Sequence, residues 1–422
     1  MKYPGPETIH RHVLPNGVTI LAYENFASES VVIEGLVTAG SWRIRPARKE
    51  WLPSPLPPSC AAPPGEIFDA IYEALEAVGA DINIGGSKHS ADFGVSCLAE
   101  DIDLALEILA DSLRQPTFPL NEIEQLRGQI LTGLTIRAND TQQMAHLAFN
   151  ELLYPHHPYG RSSRGHPHTI SSITQADLAN FHQTYYGPQG TIIVLVGAVA
   201  AETAVAEIAH VFGDWQNAGQ VAMIEVGAQE RPLTTLRRHI SMPDKAQTDI
   251  ILGLPGPRRA APDYLPASLM NTVLGVFGMM GRIGKNVRQK QGLAYYAYSS
   301  LHASLGPSPW SASAGVAPED VAQAIASILA EIQRIQSEPV SASELADSQA
   351  YRTGSLPVSL ETNSGLASVI IDMELYGLGL DYLQRFPALI NAITPEQIQA
   401  AAQKYLSAEQ IAIAVAGPDF TR

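Results

Sequence analysis

The sequence has little cysteine and no excess of positive charge, and both shortages exclude classes of protein. Only Cys60 and Cys97 occur among the 422 residues, and no Cys-x-x-Cys pair is present. Neither a disulfide framework nor a cysteine-based zinc site is therefore expected. The formal net charge of -15 argues against nucleic acid as a partner, because phosphates select basic surfaces, and it also disfavours binding to anionic lipid.

Long apolar runs are missing as well. No uninterrupted apolar stretch approaches the roughly 20 residues that a membrane-spanning helix requires. The first residues, MKYPGPETIHRHVLPNG, contain no apolar core of the kind found in signal peptides. We therefore expect a cytoplasmic protein that has neither a membrane nor a nucleic acid as its partner.

What the sequence does contain is an internal repeat. Residues 173–197 (ITQADLANFHQTYYGPQGTIIVLVG) align with residues 393–417 (ITPEQIQAAAQKYLSAEQIAIAVAG) at a constant offset of 220. The offset places Thr174 over Thr394. Both copies predict a helix capped by threonine, then a short turn, and then a buried strand that ends at glycine.

A second match lies upstream of the first and has nearly the same offset. Residues 99–113 (AEDIDLALEILADSL) resemble residues 318–332 (PEDVAQAIASILAEI) at an offset of 219. Two generic amphipathic helices are the alternative explanation, but two matches in the same order favour a duplicated domain. We predict an N-terminal domain over 1–218, a linker over 219–235, where Gly, Gln and Pro mix without periodicity, and a C-terminal domain over 236–422.

The first domain mixes strand and helix patterns. A helix is indicated by Ile71 and Leu75, which share one face, and by Gly79 as its end. The predicted elements are strands at 17–23, 31–38 and 89–98 and helices at 66–78, 101–114 and 119–138. We therefore predict an α+β fold of two similar domains, each a mostly antiparallel sheet with helices packed on one face, rather than a doubly wound parallel sheet.

Several segments along the chain form a recognisable set: LPNGVTIL (14–21), AGSW (39–42), ALEAVGADIN (74–83), ILADSLRQPTFPLNEIEQLR (108–127), HPYGR (157–161) and NVRQKQGLAYYAYS (286–299). They resemble the insulinase (pitrilysin-type, M16) zinc peptidase family, particularly its processing-peptidase-like branch. The resemblance is in register over nearly the whole chain. It implies half of a clamshell, in which two such chains, or two halves of a longer one, enclose a peptide chamber.

The zinc-binding motif of active family members is absent from this sequence. They carry His-x-x-Glu-His on a helix, where two histidines one turn apart bind zinc and the glutamate activates water. None of the twelve histidines here stands three or four residues from another. Where the resemblance places the motif, the sequence reads RPARKEWLPSPLPPSCAAPPGE (45–66), whose prolines are excluded from a helix interior.

The third zinc ligand of the family, a glutamate from a later helix, is absent too. The resemblance places its position on Gly133, and Leu126 stands where another glutamate of that helix is expected. The four histidines of the loop 154–168 (YPHHPYGRSSRGHPH) have neither helical register nor acidic neighbours, so we interpret them as ordinary loop residues. We expect no metal site and no cofactor in this chain.

An arginine and a tyrosine at seven-residue spacing remain in VRQKQGLAY (287–295). The resemblance implies that Arg288 and Tyr295 hold the substrate near the scissile bond, with the tyrosine donating to the carbonyl oxygen as it becomes an oxyanion. The chemistry fits, because guanidinium is a fixed cation with a planar donor fork and phenol is a neutral donor. The alternative is an arginine at a helix end and a tyrosine in a strand core.

A glycine-rich stretch, GVFGMMGRIGKN (275–286), precedes this pair. It does not fit the phosphate-binding P-loop, because Lys285 is followed by asparagine and the glycine spacing differs. It resembles the glycine-containing loop of the processing peptidase's non-catalytic subunit, which contacts peptide. That likeness makes Gly278 and Gly281 candidate substrate-binding positions, and a plain structural turn is an equal alternative.

These features predict a non-catalytic, substrate-binding subunit of a heterodimeric zinc metallopeptidase, inactive on its own. Zinc is expected in a partner subunit that carries His-x-x-Glu-His, and the substrate is a peptide. Two other functions stay open. One is a structural scaffold, like the core subunits of a respiratory complex, and the other is a peptide-binding homodimer without peptidase activity.

Overall fold

The computed structural model describes residues 3–43, 68–223, 225–276 and 281–419. The strands are β1 Ile9–Val13, β2 Thr19–Glu24, β3 Ser30–Val37, β4 Asp81–Gly86, β5 Ala91–Leu98, β6 Ile192–Gly197, β7 Leu236–Ser241, β8 Thr248–Pro255, β9 Ala294–Leu301, β10 Pro309–Val316 and β11 Ala412–Gly417. None of the helices in this part of the chain is both long enough and apolar enough to cross a membrane.

The helices are grouped between the strands. They are α1 Phe68–Ala77, α2 Ile102–Arg114, α3 Leu120–Ala138, α4 Thr141–Leu153, α5 Pro167–Ser172, α6 Gln175–Tyr185, α7 Ala201–Phe212, α8 Tyr264–Asn271, α9 Val321–Ser337, α10 Ala342–Ser359, α11 Asn363–Leu375, α12 Tyr382–Asn391 and α13 Pro395–Tyr405. Two wider, π-helical segments, Thr272–Val276 and Gly284–Lys290, lie before β9.

Each of two compact units contains one sheet. The first sheet has the order β1-β2-β6-β3-β5-β4, and the second has the order β7-β11-β8-β10-β9. Both sheets are mixed, because β2 and β6 run parallel, β7 and β11 run parallel, and the other neighbours are antiparallel. The predicted α+β fold with two similar, mostly antiparallel sheets is confirmed.

The internal repeat is confirmed by matching elements at matching positions. Helices α6 and α13 begin after Thr174 and Thr394, and each threonine side chain accepts a hydrogen bond from the backbone three residues on. These reciprocal capping boxes fix the helix start in both copies. Strands β6 and β11 follow with every residue buried, as expected for central strands.

The core of the first unit lies on one face of its sheet. Alternation along β3 directs Val31 and Ile33 to this face, where both are fully buried. Helices α2 and α7 cover the same face with apolar residues that include Leu106 and Ile208. Burial of this kind stabilises the unit by about 25 cal/mol for each Å² of apolar surface removed from water.

One helix of each unit comes from the opposite half of the sequence. Helix α11 packs on β3 and β6 in the first unit and buries Leu366 and Ile370. On this face, opposite Val31 and Ile33, the hydroxyls of Ser364 and Ser368 donate to the carboxylate of Glu34. Helix α4 packs on β8 and β11 in the second unit in the same way.

The compact units therefore differ from the predicted division into 1–218 and 236–422. The first unit comprises Met1–Thr132, Ser163–Glu225 and Leu356–Arg385, and the second comprises Gly133–Ser162, Val226–Ser355 and Phe386–Arg422. The physical reason is that each exchanged helix buries its apolar residues against the sheet of the other sequence half. The change of unit after Glu225 lies within the stretch predicted as the linker, 219–235.

Candidate functional site

The structure brings Arg288 and Tyr295 together on the second unit. Arg288 lies in the π-helical segment Gly284–Lys290, and Tyr295 is the second residue of β9. The guanidinium carbon of Arg288 lies 5.9 Å from the centre of the Tyr295 ring, within the range of a cation–π contact. Tyr295 is 80% exposed, so its phenol is presented to solvent and is not packed in a strand core.

A tight turn sets the spacing between these two side chains. The backbone N–H of Gly292 donates to Arg288 O at 3.1 Å, and that of Leu293 donates to Val287 O at 3.0 Å. Gly292 has φ +68°, a left-handed conformation that favours glycine. The buried Val287 and Ala294 anchor the two ends of the turn. The neighbouring Arg288 and Tyr295 are thereby held at the surface.

A chain of side-chain hydrogen bonds ties the Arg288 segment to α9. The amide of Asn286 donates to Glu331 Oε1 at 2.7 Å, and Gln291 Nε2 donates to Asn286 Oδ1 at 2.8 Å and to Ser327 Oγ at 2.9 Å. Gln323 Nε2 donates in turn to Gln291 Oε1 at 2.9 Å. These contacts to α9 fix the backbone both before Arg288, at Asn286, and after it, at Gln291.

Tyr296, the residue after Tyr295, points to the other face of the sheet and was missed at the sequence level. Its phenol donates to the carboxylate of Asp249 on β8, which is 2% exposed. Thr141 Oγ1 and Gln247 Nε2 also donate to this carboxylate. Burial, followed by the hydrogen bond to Asp249, raises the pKa of Tyr296. A signal was present, because an aspartate within the apolar strand TDIILGLP requires a buried donor.

An ion pair holds the chain just before the Arg288 segment. Arg282 Nε donates to Glu344 Oε1 at 2.7 Å and its Nη2 donates to Oε2 at 2.9 Å, a bidentate pair in which Arg282 is buried. The hydrogen bond from Arg282 lowers the pKa of Glu344 to about 2, against its partial burial. The backbone N–H and hydroxyl of Ser341 complete the contacts at the start of α10.

The position of β9 gives the site a polar backbone edge. In the order β7-β11-β8-β10-β9, strand β9 is hydrogen-bonded within the sheet to β10 alone among the described strands. The outward N–H and C=O groups of an edge strand can pair with an extended peptide, which is how many domains add a strand from a ligand. Tyr295 stands at the beginning of this edge, with Arg288 beside it.

Of the two candidate glycines, Gly281 is described and Gly278 lies outside the described residues. A Cβ at Gly281 would lie 2.8 Å from the Cα of Gly275 and 2.9 Å from the carbonyl oxygen of Leu274. Glycine at 281 therefore permits close packing of the two backbone segments. The substrate-binding role of both glycines stays a prediction.

The described residues do not fit the zinc site of the family. Among them, no three His, Cys, Asp or Glu side chains are grouped so as to hold a metal ion. Gly133, where the resemblance places the third ligand, lies on α3 and has no side-chain donor atom. In the histidine-rich loop, His157 Nδ1 accepts from the N–H of Tyr159 at 3.2 Å, which is a structural use of this ring. The stretch 45–66, where the resemblance places the zinc motif, lies outside the described residues.

Comparisons with known proteins agree with this architecture. The family model described as "Insulinase (Peptidase family M16)" matches residues 66–165, and the model described as "Peptidase M16 inactive domain" matches residues 172–351. An uncharacterized zinc protease of Mycobacterium tuberculosis is 27% identical over 352 residues, which are 82% of this chain and 79% of the relative.

A relative and a solved structure extend the similarity over almost the whole chain. A probable mitochondrial-processing peptidase subunit beta of Arabidopsis thaliana is 22% identical over 99% of this chain and 82% of its own length. The crystal structure of a peptidase M16 inactive domain from Pseudomonas fluorescens superposes with a TM-score of 0.88 at 26% identity, covering 98% of each chain. With both family models matched in order and two similar mixed sheets in place, the chain belongs to the insulinase family, M16.

Proposed function

We propose that this chain is the non-catalytic, substrate-binding subunit of a two-chain zinc metallopeptidase. The observation that carries the proposal is the exposed Tyr295 with Arg288 against it at the start of an edge strand. It stands in a sequence without His-x-x-Glu-His, and the match to the insulinase model begins only at residue 66. The exposed pair together with the missing motif favours substrate binding without zinc chemistry in this chain.

The chemistry of the pair suits an extended peptide paired along β9. Backbone hydrogen bonds to the strand edge would set the direction of the peptide. The phenol of Tyr295 is a donor that can serve a carbonyl oxygen, and this donation strengthens when the oxygen gains negative charge in the transition state. Arg288 supplies a fixed positive charge and a planar donor fork next to the same position.

The remaining parts belong to a partner. A subunit that carries His-x-x-Glu-His would bind zinc, which polarises the scissile carbonyl and lowers the pKa of its bound water. The Arabidopsis relative is by its name one subunit of a processing peptidase. We therefore expect this chain to act as part of a heterodimer and to be inactive alone.

A scaffold role and a peptide-binding homodimer are the competing functions. Tyr295 is 80% exposed and so contributes little packing to the fold. Because an exposed cation–π contact adds little to the stability of a scaffold, the pair favours peptide handling. The homodimer differs from the proposal in needing no zinc-bearing partner, which makes the two separable by experiment.

The test is hydrolysis of a quenched fluorescent peptide library by this chain alone and after mixing with a zinc-bearing subunit. We expect zinc-dependent cleavage only in the mixture. Loss of one oxyanion donor commonly lowers kcat by about 10²- to 10³-fold, and we expect Tyr295→Phe to do so. Arg288→Ala should mainly raise KM.

Tyr351→Phe is the matched control, because Tyr351 is also an exposed tyrosine but lies on α10. A mixture that contains Tyr351→Phe should cleave the peptides as fast as a mixture that contains the unsubstituted chain. Chelator-sensitive cleavage by this chain alone would contradict the proposal. A stable, active mixture that tolerates Tyr295→Phe and Arg288→Ala would show that the pair is not used.

A further inference from the structure

The second unit contains a cavity between α8, β9 and α10. Its volume is about 470 Å³, a size that suits a small ligand or the end of a peptide. Helix α8 and the π-helical segment Thr272–Val276 form one side, and residues 298–302, along and after β9, form another. Arg352 of α10 completes the lining. All of these residues belong to the second unit.

A change of helix type and a glycine shape this cavity. After α8 the chain widens into the π-helical segment Thr272–Val276, a form that is rare in helices and frequent at functional sites. Gly275 in this segment lies so close to β9 that a Cβ there would be 2.3 Å from Ser299 N and 2.5 Å from Ser299 Oγ. Glycine therefore allows the segment to lie directly against the strand, so that the two form one continuous wall.

The lining is polar and carries no carboxylate among the described residues. Hydroxyl and amide groups come from α8 and β9, and they include Ser268, Asn271 and Ser300. The sequence that follows Val276, FGMM (277–280), contains no acidic residue either. The positive charge of Arg352 is therefore not matched by a negative charge on the described lining.

The guanidinium of Arg352 has an unsatisfied donor. Arg352 is half-buried, its Nε is buried without a hydrogen-bond partner, and it forms no ion pair with a described residue. Ser348, one turn earlier on the same face of α10, also has a buried hydroxyl without a partner among the described residues. A buried donor that lacks an acceptor costs free energy, and more so when the group is charged. An acceptor supplied by a ligand would remove this cost.

Asn271 supplies a second unused donor. Its Oδ1 accepts from Ser299 Oγ at 2.8 Å and from Trp310 Nε1 at 2.9 Å. Because the indole nitrogen can only donate, the atom that faces it is the amide oxygen, and the orientation of the amide is fixed. Asn271 lines the cavity at 5% exposure, and its NH₂ group donates to no described residue.

We propose that this cavity binds a carboxylate, carried by a small organic acid or by the end of a peptide, with Arg352 as counter-ion and Asn271 as a second donor. A carboxylate has the single negative charge that one guanidinium matches, and its two oxygens accept parallel N–H bonds from an arginine. A phosphate carries up to two charges and suits a site with more cations. The inference is independent of the proposed peptidase role, because neither Arg288 nor Tyr295 lines the cavity.

The test is saturation-transfer difference NMR on the full chain with matched acids and amides. The probes are N-acetylglycine, N-acetylleucine and acetylated trialanine, each as the free acid and as the carboxamide. We expect at least one acid to bind saturably and its amide to bind at least tenfold more weakly. Binding of an acetylated amino acid identifies a site for small acids, and binding of the tripeptide acid alone identifies a site for a peptide end.

Substitutions then locate the binding. Arg352→Gln should weaken it at least tenfold, and Arg352→Lys, which keeps the charge but not the planar fork, should weaken it less. Asn271→Asp should abolish it by repulsion, although the new carboxylate still accepts from Ser299 and Trp310. Arg237→Gln is the control, because Arg237 is exposed on β7, at the opposite edge of the sheet from β9. Circular dichroism verifies that each variant is folded.

Three results would overturn the proposal. The first is that no acid binds more tightly than its amide. The second is binding that neither Arg352→Gln nor Asn271→Asp changes in the folded chain, because the acid would then lie elsewhere. The third is displacement of the acid by inorganic phosphate at a concentration below that at which the acid itself half-saturates the site.

Discussion

Tyr296 on β9 donates a hydrogen bond to the buried carboxylate of Asp249 on β8, across the intervening strand β10. The residue of β10 between them is Gly315, which pairs with both. Because glycine has no side chain, the tyrosine ring passes over it. Strand β9 therefore has Tyr296 fixed on one face and the exposed Tyr295 on the other. The internal hydrogen bond of Tyr296 steadies the strand that presents the Tyr295 phenol.

Gly315→Ala is expected to destabilise the protein by about 2 kcal/mol, in the range of overpacking a core. A Cβ at Gly315 would lie 2.6 Å from Tyr296 Cε1 and 2.6 Å from Gln247 Nε2, so these two of the three donors to Asp249 must move. Urea denaturation measures the change. Gly354→Ala is the control, because its Cβ would meet nothing within 4 Å and alanine favours the α10 helix. Equal effects of the two substitutions would contradict the prediction.

Tyr296 should make the stability sensitive to alkaline pH. Its pKa in the folded state is raised, first by burial and then by Asp249, above the unfolded value of about 10. The folded state therefore holds this proton more tightly, and the stability it confers is complete below about pH 10 and lost as the pH rises further. Urea midpoints from about pH 8 to about 11 should decline less in Tyr296→Phe than in the unsubstituted chain. Parallel declines would show that Tyr296 is not responsible.

Glu344 should contribute to stability in the opposite pH range. Arg282 lowers the pKa of this carboxyl to about 2, so its contribution is full above the unfolded value of about 4.5 and is lost as the pH falls through the folded value. After allowance for solvent screening of its partly exposed carboxylate, the contribution is roughly 1 to 2 kcal/mol.

The test of this ion pair is Glu344→Gln, followed by urea denaturation at neutral pH and at about pH 3. The substitution should cost stability at neutral pH and much less in acid. Glu409→Gln is the control, because Glu409 is an exposed carboxylate in the bend before β11 and belongs to none of the ion pairs among the described residues. A loss that is the same at both pH values would rule out the Arg282–Glu344 pair as its source.

The exchanged helices predict which sheet each core substitution weakens. Ile370 of α11 is fully buried against the first sheet, and its replacement by alanine should cost about 2 to 5 kcal/mol. Hydrogen exchange should then quicken first in β3 and β6, although Ile370 belongs to the second half of the sequence. Phe149→Ala in α4 should quicken exchange in β8 and β11. If each substitution instead quickens exchange in the sheet formed by its own half of the sequence, the assignment of α4 and α11 to the opposite sheets is contradicted.

Local signals in the sequence predicted much of the fold. The strands expected at 17–23, 31–38 and 89–98 correspond to β2, β3 and β5, and the helices expected at 101–114 and 119–138 correspond to α2 and α3. These elements have clear apolar periodicity and are bounded by caps or glycine. Of the helix expected at 66–78, the described part is α1. Strand β1 was missed because four of its five residues are exposed, which leaves no alternation to read.

Contacts between distant segments could not be predicted from local pattern. The local sequence of α4 and α11 does not specify which sheet buries each helix. At the site, the resemblance supplied Arg288 and Tyr295, and their adjacency depends on a π-helical segment and a left-handed glycine that spacing alone does not specify. The bond from Tyr296 to Asp249 depends on the register of three strands, which the sequence does not state.

The helix exchange also has a consequence for the order in which the chain can fold during synthesis. The first sheet is complete in sequence once Gly197 has been made, but the helix that covers one of its faces ends at Leu375. Until then, no helix from the described residues of the first half covers that face. The first unit of a nascent chain therefore stays incomplete through most of translation. We expect ribosome-associated chaperones to bind its exposed apolar surface during that time.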